Sequence, residues 1–131
     1  MTEPTVINPD SILDSVKKVL QIPFDYDVFD LDITMHINSV FNTLHQLGIG
    51  PAAGFHITDS EDTWDAFLGT DPLLNSVKTY ITLRVRLLFD PPPNSFTQTA
   101  IKEQIQELEW RMSVHREGVV YPTQVTVVSD T

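Results

Sequence analysis

The chain contains no cysteine. That excludes disulfide staples and thiolate metal sites, and it fits a reducing compartment. Basic residues are also few: eight lysines and arginines stand against eighteen aspartates and glutamates, a formal net charge of −10 and a pI near 4.5. Such a surface repels phosphates, so tight or specific nucleic-acid binding is not expected. Long apolar runs are missing as well. No stretch approaches the ~18–20 residues of a membrane span, and the opening Met1-Thr-Glu-Pro lacks a basic-then-apolar signal. The expectation is a soluble protein made in the cytoplasm. At 131 residues the chain suits one domain with a single modest core, and it has no internal repeat or low-complexity tract.

The stretch that organises the rest is 73–89, between Asp71-Pro72 and Asp90-Pro91-Pro92-Pro93. Proline is tolerated at a helix start, and three in a row cannot continue a helix, so both ends are punctuated. On a helical wheel Leu74, Val77, Ile81, Val85 and Leu88 form one stripe, which Leu73, Tyr80 and Leu87 widen beyond the ~100° of an ordinary surface helix. A helix this apolar has to be covered on most sides, which makes it the central one. Arg84 interrupts the apolar arc. Two readings stand: its stem lies on the core and the head reaches water, or it pairs with a carboxylate from another helix or another subunit.

In chain order, residues 1–9 are expected to form a flexible lead, 10–117 a helical domain and 118–131 an extended tail. The first helix runs from Asp10 to Leu20, with Ser11 and Asp14 as a capping pair and Ile12, Leu13, Val16, Val19 and Leu20 on its buried face. Asp25-Tyr-Asp-Val-Phe-Asp-Leu-Asp32 is not a calcium loop. Counted from Asp25, Asp30 stands where glycine is needed and His36 where the last carboxylate belongs. It is an acidic entry to a second helix over 28–47, which buries Phe29, Ile33, Ile37, Val40, Phe41, Leu44 and Leu47 and ends at Gly48. A glycine-rich connector follows, with a short extended piece at Phe55–Ile57. Thr58 and Glu61 suggest a capping box for a short helix carrying Trp64, Phe67 and Leu68, stopped by Gly69.

After the prolines, Asn94 or Ser95 caps a last helix over 96–116, with Ile101, Ile105, Leu108, Met112 and His115 as its stripe. Glu107 and Arg111 stand i, i+4, a surface pair of ~0.3–0.5 kcal/mol. Trp110 and Val114 fall nearly opposite the stripe. Either another part of the chain covers that tryptophan or a subunit or partner does. Gly118 releases the chain into a tail with Val119, Val120, Tyr121, Val125 and Val127, β-prone and without a sheet to join. The tail either frays or adds as a strand to another protein or another subunit.

Chemistry is hard to find. His36 and His45 lie on different faces of the second helix, and none of the four histidines has zinc-helix spacing. No nucleophile elbow or phosphate loop is present, and Lys17-Lys18 looks like a solvated dibasic pair. No catalytic residue, metal or cofactor is expected.

The series itself has a recognisable order: His36-Ile-Asn-Ser-Val-Phe, Gln46-Leu-Gly-Ile-Gly-Pro51, Trp64-x-x-Phe-Leu-Gly69, Val77 through Pro92, and Gln104-Ile-Gln-Glu-Leu-Glu-Trp-Arg111. Over residues 11–117 the chain resembles the head–tail connector (adaptor, or head-completion) proteins of tailed bacteriophages. The resemblance implies a compact all-α bundle of four to five helices, forming a ring, usually a dodecamer, beneath the portal protein. Such a ring extends the channel for passing genomic DNA without gripping it and offers a docking surface to a tail-side stopper protein. It places the protein in the virion, with no membrane contact and no enzymatic activity. Arg84, Trp110 and Val114 become candidates for subunit contacts, and the tail for portal or neighbour binding. The alternative is a small acidic helical regulator that binds one host protein as a monomer or dimer. A metal-dependent enzyme built from aspartate and histidine is a third, weaker reading.

Overall fold

The computed structural model describes residues 9–120, with side chains described through residue 115. The fold is all-α, with five helices: α1 (Ile12–Val19), α2 (Asp30–Gln46), α3 (Trp64–Leu68), α4 (Leu74–Phe89) and α5 (Ser95–Val120). The described residues form no strand, only an isolated antiparallel bridge between Ser11 and Thr63. Tyr121, Val125 and Val127 lie outside the described residues.

α4 is the hub, packed against α2, α5 and α1. Its Val77, Tyr80, Ile81 and Val85 are buried, as the apolar arc demands. Leu88, expected in the same stripe, is instead half exposed. It sits in the last turn, where α4 and α5 leave a groove between them.

α1 is capped as expected, Ser11 Oγ accepting from Asp14 N at 3.2 Å. Its buried arc is rotated toward Lys17 and away from Val19, which is exposed. Lys17 is therefore no solvated residue: it is 1% exposed and pairs with Asp30 at 2.8 Å. Its ammonium also donates to the carbonyls of Phe24 and Tyr26, at 2.9 Å each. A buried lysine is tolerated when its charge is paired and its donors find acceptors, and here one carboxylate and two carbonyls fold the acidic segment onto α1. Lys18, beside it, is exposed.

α2 buries Ile33, Ile37, Val40, Phe41 and Leu44. Phe29 stands outside the helix as its N-cap and is partly exposed, resting edge-on against Tyr26 and Phe89. The connector of 48–63 returns along α2 without forming a strand. Asn38 holds it: its amide donates to Ile57 O at 2.9 Å and accepts from Ile57 N at 2.7 Å. Gly50 has φ +95°, and a Cβ there would lie 2.5 Å from the Phe67 ring. That glycine lets the connector close over the Phe41–Phe55–Phe67 cluster, whose ring centroids are 4.6–5.1 Å apart.

The cap of α3 is Thr63, which accepts from Ala66 N at 3.2 Å, not Thr58. Asp62 takes the role expected of Glu61, but facing backwards: its carboxylate accepts from the Thr58 and Asp59 amides. Asn94 caps α5, accepting from Phe96 N and Thr97 N. α5 continues through Gly118 to Val120, past the point where the glycine was expected to release the chain.

Candidate interaction surfaces

α2 and α5 both pack on α4, so each turns one face to it and the opposite face to solvent. On α5 the inward face carries Ile105 and Met112, with Ile101 and Leu108 partly buried beside them. His115, at the end of that stripe, is exposed. The outward face carries Trp110, 67% exposed, with Val114 one turn on and Phe96, 81% exposed, near the helix start. No part of the described chain covers Trp110.

On α2 the outward face has the same character. Leu31 is 72% exposed, Met35 stands one turn on, and Val28 precedes them at 64% exposed. Apolar side chains clustered on two separate faces of so small a molecule are uncommon unless something covers them. Leu31 and Met35 were legible in the sequence: they stand i, i+4 opposite the α2 core stripe, the signal that singled out Trp110 and Val114.

Arg84 lies at the α4–α5 seam and is one-third exposed. Its guanidinium is 3.2 Å from Glu109 and donates to Tyr80 Oη at 3.1 Å. The pairing carboxylate thus comes from another helix of the same chain. Tyr80 in turn donates to Glu109 at 2.7 Å. Burial and the Glu109 carboxylate push the Tyr80 phenol up to about 12. Beside this triad, Leu87, Leu88 and Ile105 floor an open groove of about 360 Å³, rimmed by Arg84, Lys102, Gln106 and Glu109. Trp110 lies four residues beyond Gln106 and so stands on the same side of α5.

Charge is divided along the chain. Residues 1–71 hold twelve of the eighteen acids and only two of the eight bases, Lys17 and Lys18. The other six bases, from Lys78 to Arg116, all fall on α4 and α5. Among the described residues no group of three or more histidines and carboxylates could hold a metal ion, and no helix is long and apolar enough to cross a membrane.

The family model described as phage connector protein matches residues 12–119. The chain belongs to the phage connector protein family. The matched span runs from the first residue of α1 to the penultimate residue of α5, and its limits fall within two residues of those of the resemblance in the sequence. No curated protein and no solved structure matches the chain. Membership of the connector family makes this a structural phage protein, one that works against other virion components.

Proposed function

We propose that the protein is the adaptor ring of a phage head–tail junction. It docks under the portal protein, extends the DNA channel and offers the surface on which the tail-side stopper assembles. Many copies of the chain, twelve in the virion, close the ring. The observation that carries this reading is the pair of exposed apolar faces on α2 and α5. A ring closes through a heterologous contact, which needs two different surfaces on every subunit. A regulator that binds one host protein needs only one.

The acidic balance supports a conduit, because a wall that repels phosphates lets DNA slide. Arg84, Trp110 and Val114 belong to the subunit contact in this reading. Val119 and Val120, with the tail residues Tyr121, Val125 and Val127, reach the portal or a neighbour. Mass measurement across concentrations, with negative-stain images and with the cognate portal protein present, tests the proposal. Rings alone or on the portal are expected, and a chain that stays monomeric or dimeric beside the portal refutes it. Deleting residues 119–131 is expected to weaken portal binding, and unchanged binding removes the tail from the docking surface.

A further inference from the structure

We infer that Val28 and Leu31, at the entry to α2, form an acid-flanked apolar knob that seats in the α4–α5 groove of a second copy of this chain. The inference rests on the ring reading and names the contact that closes it. The knob has two of the more exposed aliphatic side chains in the protein, with Asp27 and Asp32 beside them. Neither carboxylate forms an ion pair among the described residues. The loop that presents them is fixed rather than loose, since Lys17 ties Phe24, Tyr26 and Asp30 to α1.

The groove has the complementary character. Its floor of Leu87, Leu88 and Ile105 is apolar, and Lys102 on its rim is exposed without an ion pair among the described residues. In a chain of net charge −10, most approaches between two copies bring acid against acid. Lys102 and Arg84, on the groove rim, are where an acidic knob meets opposite charge. Within one chain the two surfaces flank α4 on different sides. Phe89 faces the knob, its ring 5.3 Å from that of Phe29, whereas Leu87, two residues or about 200° earlier on the helix, faces the groove. The contact therefore runs head to tail from copy to copy.

The absence of cysteine makes the test direct. Leu31→Cys and Leu88→Cys both change exposed side chains, so folding is not at stake. Oxidation of the double variant, alone and with the cognate portal protein, should give a ladder of covalent oligomers, and either single variant should give none. Lys102→Glu should weaken assembly at least tenfold, and Asp27→Lys added to the same chain should restore it. Rings that form without a ladder overturn this contact and leave the ring reading intact. Dimers from a single-cysteine variant show a twofold contact, and no assembly in either condition fails the ring reading itself.

Discussion

The Lys17 ammonium lies 2.8 Å from the Asp30 carboxylate across the gap between α1 and α2, and Lys17 is the more deeply buried partner, at 1% against 34% exposed. Removing it leaves one carboxylate and two carbonyls without their shared donor. Lys17→Met, which keeps the stem and deletes the charge, is expected to cost about 2–3 kcal/mol. That is less than the loss of one partner from a fully enclosed pair, because water still reaches Asp30. Urea unfolding of the free chain reads this directly, with Lys18→Met as the control expected to stay within about 0.5 kcal/mol.

Tyr80 supplies a pH-dependent term. Its folded pKa is about 12 against the ordinary 10.0 of a tyrosine. The folded state therefore holds the phenol proton more tightly, so this stabilisation is complete below pH 10 and is lost as pH rises through about 12. At about 1.4 kcal/mol per unit the loss approaches 2–3 kcal/mol. Tyr80→Phe should destabilise the chain by about 1–2 kcal/mol at neutral pH. It should also flatten the alkaline arm of the stability profile. A profile identical in wild type and variant would detach Tyr80 from that arm.

The connector offers a paired test at two glycines with φ near +90°. A Cβ at Gly50 meets the Phe67 ring at 2.5 Å, whereas at Gly54 the nearest atom, His45 Nδ1, is 3.9 Å away. Gly54→Ala should cost only the backbone term, about 1 kcal/mol, and Gly50→Ala about 2–4 kcal/mol because the aromatic cluster must also move. Thermal melts of the two variants should rank in that order.

Trp110→Ala separates folding from assembly. The side chain is two-thirds exposed, so the free chain should keep its stability within about 0.5 kcal/mol. Subunit association should weaken more than tenfold, as for a buried aromatic anchor. Sedimentation analysis of wild type and variant at matched concentrations decides between an interface role and none.

The helices and their order were legible because the signals were local. Prolines and caps bracketed α1, α4 and α5, and the stripe of Ile33, Ile37, Val40, Phe41 and Leu44 marked the core face of α2. What escaped depended on three-dimensional supply of partners. Nothing beside Lys17 in the sequence announces that three acceptors from residues 24–30 close over it. Thr58 and Glu61 match the capping-box pattern, yet Thr63, bridged to Ser11, is the residue that caps α3. Leu88 fits the α4 stripe by periodicity, yet the end of a helix is covered only if its neighbour fills the space beside it, and here an open groove lies between α4 and α5. Trp110 was legible for the opposite reason: a tryptophan on the wrong face of an amphipathic helix needs no structure to stand out.

The way α5 is held has a thermodynamic consequence. The helix is 26 residues, about 39 Å long, and among its described side chains the inward-packed ones run from Ile101 to Met112. From Ser95 to Ala100 the side chains are mostly exposed, so the amides of that end should exchange with solvent at opening free energies well below those of α4. A neighbour that covers the outer face then does two things at once, removing apolar surface from water and arresting a fluctuating helix. Association measured by calorimetry should accordingly show a more negative heat-capacity change than the covered area alone predicts. Subunit and assembly would differ in order as well as in company.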